Sequence, residues 1–456
     1  MTGEKIVGLE RFMKSSNLQY PYWLTRVFLC LSCVLLILYP GTAGYQAIQQ
    51  AKIEIFYWAF GGYLALMLLF TLEFWLVRKI RLISPVELWQ RASFTQRFIV
   101  LFWLCTVIST LASSYRMQAL LGMSRGEGLL TITLYCGCFL CVSAFAKVEP
   151  WLLWVFGIVM TVYGLICLMQ LYGLNPLNLY PTGYNNFDAN TAYSGIYLGT
   201  LGNAGLTAAL LCLAIPLFAV SLLRLRSRKR WLLVAPLLLC VVVLFAAKIQ
   251  AGVLGVLGGV ILSLPIVFPG SAKRRKFLFI MVLLLLLVGF LWVWNSSRTW
   301  GFVYELREIL HGNWHPSFGT GRIYIWQEVL SRVPENLWFG TGPDTMAAAQ
   351  IPAYSQYAPL DGSVSYIVDV AHNEFLNVLY HQGIFALLFY LAALVCSAVR
   401  WGCRSVKNPL IAIFGCAVLC YCIQAFFSFS MCATAGIFWI IWALLERTSN
   451  HTEVSL

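Results

Sequence analysis

Residues 295–345 read NSSRTWGFVYELREILHGNWHPSFGTGRIYIWQEVLSRVPENLWFGTGPDT, and the polar run they open closes at 369–383 on DVAHNEFLNVLYHQG. It is the one long polar interval in an otherwise apolar chain. It holds His311, His315 and His372, with His381 just beyond, which gathers four of the protein's 5 histidines in one place. Arg298, Arg307, Arg322 and Arg332 lie in it as well, and no cysteine does. Such a segment needs apolar spans on either side to hold it at a membrane face.

Those spans are what the composition supplies. The chain is 60% hydrophobic and 11% charged, with a mean hydropathy of +0.77 over 456 residues. Soluble domains carry about 25% charged residues, so a soluble α/β enzyme is excluded. Apolar runs at about 23–39, 54–77, 98–114, 129–146, 151–171, 204–223, 231–247, 251–268, 277–294, 372–398, 408–424 and 427–445 are each close to what a bilayer core of ~30 Å requires. They predict an all-α integral membrane protein of about 12 transmembrane helices, with one large exterior, periplasmic-side loop containing short helices between spans 9 and 10. The expected division is a bundle of spans 1–9 (1–294), the exterior loop with the catalytic and donor-binding motifs (295–371), and spans 10–12 with a cytoplasmic tail (372–456). Tyr39-Pro40-Gly41 is a poor signal-peptide cleavage site, so the first span reads as uncleaved.

The net charge of +13 orients the helices rather than pointing to nucleic acid. With a cytoplasmic N-terminus, 23 of the 31 Lys and Arg fall on loops assigned to the cytoplasm, among them Arg224 to Arg230, Lys273 to Lys276 and Arg400 to Lys407. That bias is the positive-inside pattern, and it also suits anionic headgroups. It places both termini in the cytoplasm of a multi-pass inner-membrane protein and the polar segment outside. The 15 cysteines lie almost entirely in apolar spans without His or acidic partners, and read as small hydrophobes packed between helices.

Three places carry candidate chemistry. Ile323, Trp326, Val329 and Leu330 recur at helical spacing and predict an amphipathic helix over 322–333, resting on the membrane or the bundle. Gly319-Thr320-Gly321 precedes it, where backbone N–H groups at a helix start favour an anion, and Arg322 adds a cation able to grip phosphate oxygens in a bidentate manner. His372 stands where loop becomes apolar helix, suited to accept a hydroxyl proton near neutral pH, with Asp369, Asn373 or Glu374 available to orient its ring. His381 reads as a packing or relay residue. Lys248 and Gln250, in the tight turn between spans 7 and 8, are polar groups at the outer rim. His311 and His315 lack a third ligand, so no metal is expected, nor any other cofactor. The Asn-, Gly- and Tyr-rich stretch 172–205 is either an interfacial loop or a glycan contact.

Read in order, Gly319, Gly321, Arg322 and Trp326 (G-x-G-R-x-x-x-W), then Leu337 to Gly342 (L-W-F-G-x-G), then Ala371 to Leu376 (A-H-N-E-F-L) resemble the O-antigen ligase/O-antigen polymerase superfamily. The motifs cover about 320–385, and the span count and loop position extend the likeness over most of the chain. The resemblance implies a metal-independent, inverting glycosyltransferase that moves a saccharide from an undecaprenyl-diphosphate carrier to a hydroxyl of a glycan, lipid or protein acceptor, such as lipopolysaccharide, at the outer face of the bacterial cytoplasmic membrane. Arg322 would hold the diphosphate, His372 would deprotonate or position the acceptor, and Asn373, Glu374, Gly321 and Trp326 would support them. The family's further arginine, in a turn before a Gly-rich helix, falls on Lys248-Ile249-Gln250-Ala251-Gly252; there Lys248 and Gln250 stand in for it. Partners are the lipid-linked donor, the acceptor and membrane lipids, and no nucleic acid. A repeat-unit polymerase of the same superfamily would need the same donor grip. A lipid-linked oligosaccharide flippase would instead predict internal repeats and ionisable residues at the bilayer midplane; the charges here sit mostly at span ends.

Overall fold

The computed structural model describes residues 19–77, 84–187, 197–268, 270–354 and 367–450. Several basic residues counted above (Lys5, Arg11, Lys14, Arg78, Lys79, Arg81) and residues 188–196 of the Asn/Tyr-rich stretch lie outside them. In chain order the helices are α1 (Tyr20–Leu38), α2 (Ile48–Leu76), α3 (Pro85–Arg91), α4 (Phe94–Ala112), α5 (Arg116–Leu121), α6 (Leu129–Phe145), α7 (Trp151–Leu171) and α8 (Ala204–Arg224). Then follow α9 (Val234–Ala246), α10 (Gln250–Val267), α11 (Ala272–Trp294), α12 (Phe302–Leu310), α13 (Arg322–Arg332), α14 (Glu374–Arg404), α15 (Pro409–Ala425) and α16 (Cys432–Asn450). No strand forms among the described residues, only an isolated bridge between Pro352 and Ile367.

Each of the twelve apolar runs falls on a helix. Among the described residues, 9 are long and apolar enough to cross a membrane; α6 and α15 are apolar but shorter, and α16 is not among the 9. Several helices begin where short polar side chains satisfy their first N–H groups. Ser93 and Gln96 form a capping box at α4, the Asn203 Oδ1 accepts from the Gly205 and Leu206 N–H at α8, and Asn408 caps α15 ahead of Pro409.

Burial ranks the helices. In α8, 83% of the apolar stretch is inside the protein, against 11% in α11, so α8 is central while α11 turns nearly its whole surface outward. On α10, Gly252, Gly255 and Gly259 let α8 and α15 approach closely: a Cβ on Gly255 would come within 2.7 Å of the Gln424 Cβ and 2.8 Å of the Cys212 Sγ. Close approach through small residues is how helices associate where lipid removes the hydrophobic drive. All 15 cysteines are unpaired thiols, and Cys212, Cys416 and Cys420 sit in this contact. One lysine lies inside the bundle: Lys52 is fully buried and donates to the carbonyls of Leu36 (2.7 Å) and Ile37 (3.3 Å), satisfying the end of α1.

The two ends of the bundle differ. At one end, Arg400 pairs with the buried Glu446, which also accepts from Ser93; Arg224 donates to the carbonyls of Val267 and Ser405; Arg447 donates to those of Ala144 and Ala146. These contacts bring the basic ends of α6, α8, α10, α14 and α16 together. The other end is where α14 begins, and it carries the polar segment. That segment has a small core of its own in Val329, Val333, Met346, Ile351, Val368 and Ala371, closed by Leu376 and Tyr380 of α14. Within α13, Ile323 and Val329 are buried and Trp326 partly so, as the spacing predicts, whereas Leu330 is exposed.

Residues 337–342 fasten the segment to α14. The helix breaks at Gly383 (φ 82), and the backbone freed there pairs with the loop: Ile384 N donates to Leu337 O at 2.8 Å, Thr341 N to Tyr380 O at 3.1 Å and Gly342 N to His381 O at 2.9 Å. The two chains touch so closely that a Cβ on Gly383 would collide with the Trp338 carbonyl, and one on Gly340 with the His381 carbonyl. The L-W-F-G-x-G motif is therefore a docking device.

Candidate functional site

Asp344 comes first, because it builds the loop that carries the site's second arginine. Its carboxylate accepts from the backbone N–H of Ser124 (3.1 Å), Arg125 (2.8 Å) and Glu127 (3.3 Å) and from the Ser124 hydroxyl (2.8 Å). Four donors on one carboxylate fix residues 124–127 between α5 and α6.

Arg125 projects from that loop. It grips Asp369 with two parallel bonds, Nε to Oδ2 at 2.8 Å and Nη2 to Oδ1 at 3.0 Å, and its guanidinium lies 4.1 Å from the centre of the Phe429 ring. Phe429 also packs near-perpendicular to the His372 ring, with centroids 5.4 Å apart, and so links Arg125 to His372. His372 sits in the left-handed region (φ 48), just before Asn373 caps α14 by accepting from Leu376 N at 3.0 Å.

Arg322 stands in the first turn of α13, and its charge acts on the same histidine. The Trp326 indole donates to Ala371 O at 2.9 Å, which anchors α13 beside the residue preceding His372. Burial, then the charges of Arg322 and Arg125, push the His372 pKa down to about 4, with Asp369 acting in the opposite sense. The imidazole is therefore neutral at physiological pH, able to accept a proton but a weak base beside the two arginine charges.

The turn before α13 differs from its expected use. Gly319 N donates to Glu305 at 2.9 Å and Gly321 N to Ser317 O at 3.0 Å, so two of the three N–H groups are already committed. The Arg322 Nη1 folds back onto Gly319 O (2.7 Å) and Thr320 Oγ (2.8 Å), while its Nε is buried without a partner. The anion-binding capacity of this turn rests on the side chain.

Of the residues proposed to orient the His372 ring, Asp369 is held by Arg125, Asn373 caps α14, and Glu374 accepts from Ser430 N at 3.2 Å. None hydrogen-bonds the ring among the described residues. Lys248 and Gln250 are exposed at the turn between α9 and α10. Lys248 lines a cavity of about 350 Å³ with Tyr172, Asn186 and Phe187, which shares no lining residue with the cavities that Arg125 borders. The structure brings Arg322, His372, Trp326, Asn373 and Glu374 together and leaves Lys248 and Gln250 apart. What the sequence reading missed are Arg125, Asp344 and Phe429. The available signal was Ser124-Arg125-Gly126-Glu127, a charged turn between apolar runs on the side assigned to the exterior.

An open cavity of about 880 Å³ begins at Arg125 and Phe429 and extends past Tyr57, Gln49 and Gln50 of α2 to Tyr197 and Asn203. Two members of the Asn/Tyr-rich stretch thus face the same space as the second arginine. Tyrosine and amide side chains along a cationic mouth suit hydroxyl-rich ligands.

Residues 235–391 match the family described as O-antigen ligase, a region that runs from α9 through Arg322 and His372 into α14. The chain accordingly resembles the O-antigen ligase/polymerase superfamily and is an integral membrane protein. No curated protein matches it.

Proposed function

We propose that the protein is an O-antigen-ligase-like glycosyltransferase that moves a saccharide from an undecaprenyl-diphosphate carrier to an acceptor hydroxyl at the outer face of the cytoplasmic membrane. The observation that carries this reading is the convergence of Arg322 and Arg125 on a neutral His372 at the end of the bundle opposite the basic end. In this reading Arg322 and Arg125 bind the diphosphate, and Arg125 takes the place that sequence position gave to Lys248 and Gln250. His372 accepts the acceptor's proton as the hydroxyl oxygen attacks the anomeric carbon. The bond from that carbon to the diphosphate oxygen breaks with its electron pair staying on the phosphate, so the configuration inverts. Preorganised cations stabilise the charge that gathers on the leaving group, most strongly where water is scarce. Binding of the diphosphate also offsets the two arginine charges, which raises the basicity of His372 when the substrate is in place. The metal-independent mechanism, the periplasmic orientation and the role of each residue belong to this proposal.

Membranes carrying wild type, Arg322→Ala, Arg125→Ala or His372→Ala at matched expression, supplied with lipid-linked donor, test it by gel shift of the product. All three variants are expected to accumulate donor and to form little product. Wild-type rates in all three would overturn the mechanism, and donor transport surviving their loss would favour a transporter. Transfer solely onto a second lipid-linked glycan would assign the polymerase reaction, for which the same grip serves.

A further inference from the structure

Behind Arg125 a second, narrower cavity of about 70 Å³ runs into the bundle, bordered by Glu127, Glu374, Asn377, His381, Gln382 and Ser430 among apolar core residues. It has room for a few water molecules and none for a sugar. Its charges do not balance. Arg125 is the one cation lining it and is already matched by Asp369. Asp344 has four donors of its own. Glu127 receives the Tyr135 hydroxyl (3.0 and 3.1 Å) and the Cys432 backbone, and Glu374 the Ser430 N–H (3.2 Å) and hydroxyl, and none of these donors carries a charge. Two carboxylates so poorly compensated in one small space cannot both stay ionised. Burial, with the nearby charges of Glu374 and Asp344, raises the Glu127 carboxyl to about 8 against the pull of Tyr135. Two further polar atoms independently mark the space as occupied by something they can bond: the His381 Nε2 and the Gln382 Oε1, on side chains 7% and 5% exposed, have no partner. Buried polar atoms of this kind are normally satisfied, by water where protein offers nothing.

We propose that this cavity is a proton-holding site, in which Glu127 and Glu374 share one proton through ordered water that His381 and Gln382 help to bind, and that it takes up the proton His372 removes from the acceptor. The second half rests on the transferase reading. Glu374 lies two residues from His372, and the Phe429–Ser430 pair touches both, Phe429 the His372 ring and Ser430 the Glu374 carboxylate. The step is balanced: the acceptor hydroxyl proton passes to the His372 ring and from there to whichever carboxyl is ionised. This restores neutral imidazole, and the pair then releases one proton to solvent past Arg125. Around the pair stand Arg125 and Asp344 on the loops, Tyr135 on α6, His381 and Tyr390 on α14, Tyr421 and Cys422 on α15, and Cys432 on α16.

Infrared spectroscopy of the purified full-length protein in lipid nanodiscs reads the site without any substrate. A protonated-carboxyl C=O band is expected at neutral pH in wild type, shifting in D2O, fading as the pH rises above 8, and lost or displaced in Glu127→Gln and in Glu374→Gln. Absence of the band in wild type overturns the proton-holding site whatever the variants do. The second half is read from transfer kinetics: Glu127→Gln is expected to slow turnover about 10-fold and move its pH dependence, with the KM for donor unchanged. A band with unaltered kinetics in both variants would overturn the link to transfer. A wild type that shows the band but transfers nothing would instead count against the transferase reading.

Discussion

At the position of His372 the chain departs from the conformation its neighbours favour. His372 has a positive φ just before the Asn373 cap, and burial, then the charges of Arg322 and Arg125, hold its pKa near 4. Because the folded value lies below the ordinary one of about 6.5, the native state binds fewer protons there, so stability falls as pH drops from about 6.5 toward 4. The same shift has a kinetic signature. The acid limb of kcat/KM for donor, which reports the free enzyme, is expected near pH 4, while that of kcat lies higher because bound diphosphate offsets the arginines. Coincident limbs near 6.5 would show that Arg322 and Arg125 do not act on His372. Arg322 itself has its Nη1 committed and its Nε free. Removing it as Arg322→Ala is expected to lower turnover by about 10²- to 10³-fold, the usual cost of losing one preorganised donor. Arg322→Lys should recover only part, since an ammonium cannot reproduce the planar fork.

Among the elements, α14 is the one whose form matters most. Its break at Gly383 accepts the backbone of 337–342 and so sets where the polar segment, with Arg322, stands relative to His372. Gly383→Ala meets both a left-handed φ and the Trp338 carbonyl. Strain of this kind costs about 1–3 kcal/mol, so a lower thermal midpoint in detergent is expected. Transfer should fall further than stability alone accounts for, because the docking loop must move; an unchanged midpoint and rate would show that the loop does not position the site. The sequence made α13 legible because its periodicity is local, and Ile323, Trp326 and Val329 do face inward. Leu330, at 51% exposure, lies off the face that meets the protein core. The break in α14 was not legible. Residues 372–398 read as one span, and the cause of the break lies more than forty residues upstream, in carbonyls and N–H groups that have no side-chain signature. Arg125 was hidden for the same reason: what assigns it to the site is Asp344 gathering its loop across 219 residues of chain.

Across the whole molecule, the two ends of the bundle use their arginines differently. The arginines that close the basic end donate to backbone carbonyls and to Glu446, and so satisfy the helix ends. The site end carries Arg125, Arg322 and the open cavity, and α14, at 31 residues or about 46 Å by helical rise, separates the two. The proposed transfer requires this end at the outer face, because that is where an exported donor and its acceptor meet. Cys403 reports on the question directly, since it is the one exposed cysteine and sits at the basic end between Gly402 and Arg404. A membrane-impermeant thiol reagent is expected to leave Cys403 unlabelled in intact cells and to label it once the inner membrane is opened. Thr299→Cys, made in a Cys403→Ser background at an exposed position after α11, should label in intact cells once the reagent can pass the outer envelope. The reverse pattern would put the arginines and His372 in the cytoplasm, where an exported glycan could not meet its acceptor, and the transferase reading would have to give way.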